Sequence, residues 1–259
     1  MAISERADPL FGPPNETSNQ VQSVARAFKI LEALGEAGRA EPLADIAASV
    51  GLAVPTTHRL LRTLLDLGYA RQLESREYAL GPGLIGLGER ATPRLADSAR
   101  GTLVRLEDAA QETANLAVLD GDLVAYVAQV PSRHRMRMFT EVGRRVLPHA
   151  SGVGKAMLAT LPERRVREIL ARTGQPEYTP TTLTTAEALL SDLRETRRRG
   201  FAIDDGEQEV GVRCIAVAVP GASPLAALSI SGPAARMTDA IVARAVEELT
   251  QEAQLLGAA

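Results

Sequence analysis

The chain has 259 residues, long enough for two modest domains, and its 45% hydrophobic and 24% charged residues are typical of a soluble globular protein. A formal charge of −3 gives no global attraction to nucleic acid, and a single cysteine, Cys214, excludes an internal disulfide and a cysteine-based zinc cluster. No apolar run is long enough to cross a membrane and the N-terminus lacks the apolar core of a signal peptide, so we expect a cytoplasmic protein.

The first third of the chain predicts three short helices. Apolar residues recur at helical spacing over residues 21–36 and again over 43–50, and Gly51 ends the second helix in a backbone conformation that favours glycine. Pro55 suits the first turn of a third helix, because a proline there loses no hydrogen bond. The inward side of this third helix carries four leucines, which are Leu60, Leu61, Leu64 and Leu65.

A polar hairpin is predicted directly after the third helix. The runs 69–73 and 78–80 flank a polar tip at 74–77, which gives a β-hairpin of the size of a wing. An ordinary helical domain with exposed arginines is the alternative, but a helical bundle has no need of this hairpin. The pattern therefore favours a winged helix-turn-helix, a fold that places one helix in the DNA major groove.

Candidate DNA-binding residues lie at the start of the third helix and on the wing. The N-terminal end of a recognition helix usually meets base edges, where arginine binds guanine and threonine contacts a thymine methyl group or a phosphate. Residues 1–90 hold 9 basic and 11 acidic residues, so any attraction to phosphate must be local. The candidates are Thr56, Thr57, His58, Arg59 and Arg62 on the helix and Arg71 and Arg76 on the wing.

The rest of the chain predicts an antiparallel sheet with helices on its faces. Residues 82–112 contain two helical patches separated by Pro93, and Asp120-Gly121-Asp122 is a tight-turn signal between two β-rich runs. Strands are predicted at 116–119, 123–130, 214–219 and 225–231. Because strands and helices do not alternate as βαβ units, we expect an α+β fold.

Helices are predicted between and after these strands. Residues 154–161 have a helical pattern, and Thr184 with Glu187 predicts a capping box for a helix that Gly200 ends. The last helix buries the stripe Val242, Val246, Leu249, Ala253 and Leu256. Three arginines alternate along another predicted strand and would place three positive charges on one face of the sheet; they are Arg133, Arg135 and Arg137. Such a face could be the edge of the sheet, an interface with another chain or a wall that faces an anion, and the sequence does not separate these.

Two motifs are similar to nucleotide-binding loops but lack what such loops require. GPGLIG at 81–86 matches a dinucleotide fingerprint, yet the strand before it is polar and Pro93 interrupts the helix after it. GVGK at 152–155 is similar to a phosphate-binding loop, yet His149 stands where glycine is needed and Ala156 where Ser or Thr holds magnesium. The three histidines are not spaced as metal ligands, so we expect no metal and no cofactor.

Stretches along nearly the whole chain, in the same order, resemble the IclR (isocitrate lyase regulator) family of bacterial transcription factors. The matching motifs are GL at 51–52 with HRLL at 58–61, YALG at 78–81, HASGVGKA at 149–156, Arg197 with GF at 200–201, EVGVRCIA at 209–216, and LSISGP at 228–233 with Arg236. After a predicted disordered tail at 1–20, the resemblance implies a winged helix-turn-helix domain at 21–81, a linker helix at 82–97 and a GAF-like effector-binding domain at 98–259. It also implies a homodimer or homotetramer that controls a catabolic operon, and such symmetry requires a pseudo-palindromic operator in double-stranded DNA.

The resemblance also places an effector site in the C-terminal domain. Carried over by position, the site uses the backbone amides of Gly152 and Val153 and the side chains of four residues, Asp204, Cys214, Ser229 and Ser231. Amides at a helix start hold a carboxylate or carbonyl oxygen, and side chains two residues apart on a strand share one face. An aspartate suits a donor group of the ligand, such as a ureido N–H or a hydroxyl.

The amides, hydroxyl groups and carboxyl group of this site together suit a small polar metabolite, such as an oxoacid or ureide of two to six carbons, with glyoxylate, pyruvate and allantoin as first candidates. MRMFTEVGRRV at 136–146 further resembles the allantoin and glyoxylate regulator branch. The chain departs from the family at Ala53-Val54-Pro55, where members often have Pro-Lys-Ser, so a family operator cannot be carried over.

Three functions compete at this point. The first is a ligand-responsive transcription factor, a repressor or an activator. The second is an enzyme with an accessory helix-turn-helix, and the third is a DNA-architectural or adaptor protein with a GAF-like domain that binds no ligand. The enzyme lacks a nucleophile–base pair, a metal cluster and a complete phosphate loop, so we expect no enzymatic activity. A thermal-shift measurement distinguishes the adaptor from the ligand-responsive transcription factor, because a bound ligand must stabilise the native state. The absence of a shift with any small acid or ureide would favour the adaptor.

Overall fold

The structure, a computed structural model, describes residues 21–91, 94–138 and 140–258. It divides into two compact units, one ending at Thr92 and one beginning at Pro93. The predicted tail at 1–20 and the predicted helix break at Pro93 lie outside the described residues. None of the described helices is long and apolar enough to cross a lipid bilayer.

The N-terminal unit consists of helices around a small apolar core, with a hairpin at one side. Its elements are α1 (Gln22–Ala37), α2 (Leu43–Ser49), α3 (Val54–Asp66), β1 (Ala70–Gln72), β2 (Tyr78–Leu80) and α4 (Gly83–Ala91). The core includes Ile30, Leu34, Ile46 and Leu61, and Tyr78 of the hairpin packs against them. The two strands pair antiparallel, so the predicted three helices and wing are confirmed.

The turn between α2 and α3 depends on one glycine. Gly51 has a φ of 65°, in the left-handed region that side chains with a Cβ rarely adopt. Two residues later Ala53 occupies the N-cap position of α3, without a side-chain cap. Pro55 lies in the first helical turn, where the N–H that proline lacks would have no acceptor in the helix. The predicted turn and helix start are therefore confirmed.

The C-terminal unit contains one antiparallel sheet and the helices that cover it. Its elements are α5 (Arg94–Ala110), β3 (Thr113–Asp120), β4 (Leu123–Val130), β5 (Arg145–Val146), α6 (Gly152–Leu158), α7 (Glu163–Thr173), α8 (Ala186–Arg199), β6 (Ala202–Asp205), β7 (Val212–Ala218), β8 (Ala226–Pro233) and α9 (Asp239–Gly257). The strand order is β5-β4-β3-β8-β7-β6, and each neighbouring pair is antiparallel. The predicted α+β fold is confirmed.

The two faces of this sheet differ in polarity. On one face, α5 and α9 cover an apolar core that includes Leu116, Ile215 and Leu228. Strand residues alternate between faces, so the neighbours of these residues point to the other side, where α6 packs against β6, β7 and β8. That second face carries Asn115, Cys214 and other polar side chains, and it is the face that holds the candidate site.

Two predicted local features are wrong. The side chain of Thr185, and not that of Thr184, caps α8 by accepting a hydrogen bond from the amide of Ala188 at 3.3 Å. The second error concerns the arginines at 133, 135 and 137, which lie in a bent loop and not in a strand.

That loop is held by side chains in place of a neighbouring strand. Ser132 Oγ donates to the Gln111 carbonyl at 2.7 Å, Arg236 Nη2 donates to the Met136 carbonyl at 2.8 Å, and Thr113 Oγ1 donates to the Met138 carbonyl at 3.1 Å. The Met136 and Met138 carbonyls accept hydrogen bonds from side chains and not from the backbone of a neighbouring strand. This segment is therefore not part of the sheet, and its three arginines do not share a sheet face.

Candidate functional site

The exposed side of α3 forms the candidate DNA-binding face. His58, Arg59 and Arg62 are exposed and Thr56 is half-buried, while Leu61 and Leu64 on the opposite side belong to the core. The structure therefore places four of the five residues that were predicted on this helix where a duplex can reach them.

Thr57 is a correction to the predicted face. Its side chain has no exposed surface, and its Oγ1 donates to the Ala53 carbonyl at 3.3 Å. The reason is helical spacing, because residues 57, 61 and 64 lie on the same side of a helix and the latter two are core leucines. The periodicity that identified Leu61 and Leu64 was sufficient to exclude Thr57 from DNA contact.

The wing presents two further cations. Arg71 lies in β1, and Arg76 lies in the hairpin turn with a φ of 68°; both are exposed. The turn is stabilised by a hydrogen bond of 3.1 Å from Gln72 Nε2 to the Arg76 carbonyl, which leaves the guanidinium of Arg76 outside the turn.

The arginines of α3 and the wing differ from most of those in the C-terminal unit. Within the described residues, Arg59, Arg62, Arg71 and Arg76 form no ion pair. In the C-terminal unit, by contrast, arginines such as Arg172 pair with carboxylates, in that case Asp122 at 2.5 Å. These four guanidinium groups, unpaired within the described residues, give local positive charge to a unit with no net basic charge, and local positive charge is what attraction to phosphate requires.

The second candidate site is a polar row across the sheet. In the strand register, Asp204 of β6 lies beside Cys214 of β7, and Cys214 lies beside Ser231 of β8. Ser229 lies two residues before Ser231 on the same face, and all four side chains are at most 5% exposed. The structure thus brings together the four side chains that were predicted from three separate stretches of sequence.

Helix α6 begins directly over this row. A Cβ atom on Gly152 would lie 2.8 Å from Cys214 Sγ, so only glycine lets the helix start approach the strand this closely. Ser151 caps the helix by accepting a hydrogen bond from the Gly154 amide at 3.2 Å. Among the described residues, the amides of Gly152 and Val153 have no acceptor, so two donors remain at the helix start.

Two more residues of this face, Asn115 and Tyr126, were not predicted as site residues. Asn115 of β3 is fully buried; its Nδ2 donates to Ser229 Oγ at 3.3 Å, and its Oδ1 accepts from Gln129 Nε2 at 3.1 Å. Tyr126 of β4 is also buried on this face, close enough to Cys214 and Asp204 to interact with them electrostatically. A polar Asn115 in the middle of the apolar strand TANLAVLD was the sequence signal that could have identified it.

Burial controls the charge state of the site. It raises the pKa of Asp204 to about 7, although a hydrogen bond of 2.7 Å from the Glu207 amide to Asp204 Oδ1 opposes the shift. Burial likewise raises the pKa of the Cys214 thiol to about 12 and that of Tyr126 above its usual range. At neutral pH the site therefore holds a neutral thiol, a neutral phenol and a carboxyl group that is partly protonated.

The lysine near this site, Lys155, forms ion pairs with two carboxylates. Lys155 is fully buried; its Nζ lies 2.5 Å from Glu207 Oε1 and 3.1 Å from Asp192 Oδ2. The GVGK motif therefore presents an ion-paired lysine in place of a cation for phosphate. Within the described residues, no group of three His, Cys, Asp or Glu side chains is placed to hold a metal ion.

Comparison with known proteins identifies the family. A sequence profile described as "IclR helix-turn-helix domain" matches residues 23–74, and one described as "Bacterial transcriptional regulator IclR C-terminal" matches residues 92–257. The chain belongs to the IclR family. The helix-turn-helix unit is thus a DNA-binding domain, and the C-terminal unit is the effector-binding domain of a transcriptional regulator. The predicted function class is confirmed, and the enzyme alternative is wrong.

Relatives and solved structures cover most of the chain. The transcriptional repressor IclR of Escherichia coli K12 is 38% identical over 247 residues, which are 90% of each chain. The repressor AllR of the same strain is 34% identical over 223 residues, 84% of this chain and 82% of AllR. The crystal structure of an IclR homolog complexed with 4-hydroxybenzoate, from Microbacterium hydrocarbonoxydans, has a TM-score of 0.75 and 26% identity, and it covers 92% of this chain and 100% of that one.

Proposed function

We propose that the chain is a repressor whose effector is a small oxoacid or ureide bound between α6 and the polar face of the sheet. The observation that supports this proposal is the row of buried polar side chains formed by Asp204, Cys214, Ser229 and Ser231. These side chains have partners within the protein, such as Asn115 for Ser229 and the Glu207 amide for Asp204, and together with the two unpaired helix amides they can exchange those partners for a polar ligand.

The two ends of the proposed site favour different ligand groups. The amides of Gly152 and Val153 favour a carboxylate or carbonyl oxygen. Asp204, with its pKa raised to about 7, either accepts from a ligand N–H or hydroxyl group or, when protonated, donates to a carbonyl. A compound with a carboxylate or carbonyl at one end and a donor or carbonyl at the other meets both conditions.

Glyoxylate, pyruvate and allantoin satisfy this description and are the first compounds to test. The complex of a family member with 4-hydroxybenzoate supports a ligand that carries a carboxylate. The similarity of residues 136–146 to the allantoin and glyoxylate branch keeps allantoin among the candidates, and AllR is one of the relatives.

We infer that the protein works in the cytoplasm as a homodimer or homotetramer on a pseudo-palindromic operator of a catabolic operon. The helix-turn-helix unit has no net basic charge, so one copy gains little from counterion release and specific affinity depends on paired half-sites. Half-sites are then about one helical turn apart, or a multiple of that. Light scattering together with footprinting tests this assembly, and a monomer that protects one short asymmetric site contradicts it.

The effector proposal is tested by thermal shift and operator release with the full chain. A compound that binds the folded protein at 100 times its Kd stabilises it by about 2.7 kcal/mol. We expect one of the three candidates to raise the Tm and to change operator affinity over the same concentration range. A Tm that none of the three shifts, or consumption of the compound by the protein, refutes the proposal.

The candidate residues are tested by Ser229→Ala, with Ser98→Ala as a matched control on the exposed side of α5. Loss of one hydrogen bond to a buried polar ligand weakens effector binding by about 1–3 kcal/mol, while operator affinity without effector stays at the wild-type value. If Ser229→Ala responds to the effector as wild type does, the site is placed wrongly even where the sensor function holds.

A further inference from the structure

The exposed side of α3 carries an apolar side chain that the fold does not bury. Val54, the first residue of the helix, is 45% exposed, and Ala53 and Pro55 beside it are exposed as well. Val54, His58 and Arg62 follow one another at spacings of four residues, so they form one stripe along the helix. The apolar residue therefore lies one turn before the polar residues of the candidate DNA-binding face.

We propose that Val54 contacts the C5-methyl group of a thymine in the operator and so selects the base pair at that position. The N-terminal end of a recognition helix is the end that meets base edges in the major groove. The thymine methyl group is the one apolar feature that the major groove presents, and a small apolar side chain can recognise it. This inference rests on the proposed DNA-binding face of α3.

The neighbours of Val54 favour a duplex over an apolar protein surface as the partner. Arg59 and Arg62 form no ion pair within the described residues, and burying unpaired cations against an apolar protein surface is costly. A DNA groove offers guanine and phosphate to these arginines and a methyl group to the valine. The valine side chain is also stiff in a helix, so contact with a base costs it little conformational entropy.

The expected effect follows from the size of a methyl group. Burial of one such group improves affinity by about fourfold, so removal of one thymine methyl weakens binding by about fourfold for each half-site. When both half-sites of a symmetric operator lose the methyl group, the two factors multiply to about fifteenfold. The dependence of Kd on salt concentration is unchanged, because no phosphate contact is lost.

The test uses the full chain and an operator selected with it from a random duplex library. Each thymine is then replaced by uracil, which removes only the methyl group, and Kd is measured by fluorescence anisotropy at fixed salt. We expect wild type to lose affinity at one thymine in each half-site. Val54→Ala should bind the thymine operator about as weakly as wild type binds the uracil operator, and it should not distinguish the two.

A second variant controls for the general loss of apolar surface. Leu67 lies at the other end of α3 and is 60% exposed, so Leu67→Ala should keep the full preference for thymine. Alanine favours helix more than valine does, so Val54→Ala should fold with an unchanged Tm. The proposal is overturned if wild type tolerates uracil at every position, or if Val54→Ala keeps the wild-type preference.

The same measurement separates this inference from the face on which it rests. If Arg59→Ala and Arg62→Ala weaken operator binding while uracil has no effect, the DNA-binding face is correct and only the role of Val54 is wrong. If the two arginine variants bind as wild type does, the face itself is placed wrongly.

Discussion

Replacement of Asp204 by asparagine is expected to flatten the dependence of stability on pH. The side chain is 5% exposed, and burial raises its pKa from 3.8 to about 7. At a pH between these two pKa values, Asp204 keeps its proton in the native state and has released it in the unfolded state. Because the native state then binds more protons, stability is greatest below about pH 4, falls as the pH rises towards 7, and levels off above it.

The magnitude follows from the two pKa values. Each pKa unit corresponds to 1.36 kcal/mol, so a pKa of about 7 in place of 3.8 removes on the order of 4 kcal/mol from the free energy of unfolding between pH 4 and pH 8. Asparagine has nearly the same shape, carries no ionisable proton and keeps an oxygen for the Glu207 amide, which lies 2.7 Å from Asp204 Oδ1. The variant should therefore be more stable than wild type at pH 8 and similar to it at pH 4.

The assay is urea unfolding followed by circular dichroism at pH 4, 5, 6, 7 and 8. Asp205→Asn is the matched control, because the Asp205 side chain is 64% exposed and next in sequence. We expect the control to follow the pH dependence of wild type and Asp204→Asn to lose part of it. Parallel curves for wild type and Asp204→Asn would refute the argument that Asp204 is buried as a partly protonated acid.

Further predictions concern the two candidate sites. Arg59→Ala and Arg62→Ala should each weaken operator binding by roughly 1–3 kcal/mol with an unchanged Tm, measured by anisotropy at fixed salt. Arg164→Ala, a substitution of an exposed arginine in the C-terminal unit, should bind as wild type does. Asn115→Ala leaves Ser229 Oγ and Gln129 Nε2 without their partner, so it should lower the free energy of unfolding by about 1–3 kcal/mol in urea titrations; an unchanged midpoint contradicts the buried network.

The elements of the fold were predictable where local signals agree. Gly51 and Pro55 mark the helix-turn-helix by backbone conformation alone, and the turn at Asp120-Gly121-Asp122 marks the hairpin of β3 and β4. The cap of α8 was misplaced by one residue, because Thr184 and Thr185 stand side by side and the sequence offers two equivalent caps. Local chemistry identifies an element more securely than it identifies the residue at which the element begins.

The candidate site was predictable only in part. The resemblance to a family supplied all four side chains, Asp204, Cys214, Ser229 and Ser231, and strand alternation added only that the two serines share a face. The register that sets these residues side by side comes from pairing between distant strands, which one sequence does not reveal. Asn115 and Tyr126 were missed for the same reason, because each reaches the site across the sheet from a strand whose pattern is apolar.

Closure of the site has a consequence for regulation. The side chains of Asp204, Ser229 and Ser231 are 5% exposed or less, so the proposed site admits an effector only when a covering element moves. Helix α6 lies against this face, packed on Cys214 through Gly152. The loop after β4 is bonded to the same strand layer through Thr113, which donates to the Met138 carbonyl.

An effector that enters this site must therefore bind one arrangement of the covering element better than the other, since equal affinity for both shifts nothing. A hundredfold change in operator affinity requires about 2.7 kcal/mol of such coupling. Three or four hydrogen bonds, each contributing about 0.5–1.5 kcal/mol, are enough to supply it when they form in one arrangement alone. By reciprocity, operator DNA should change effector affinity by the same hundredfold, so calorimetric titration of the effector with and without operator measures the coupling from either side.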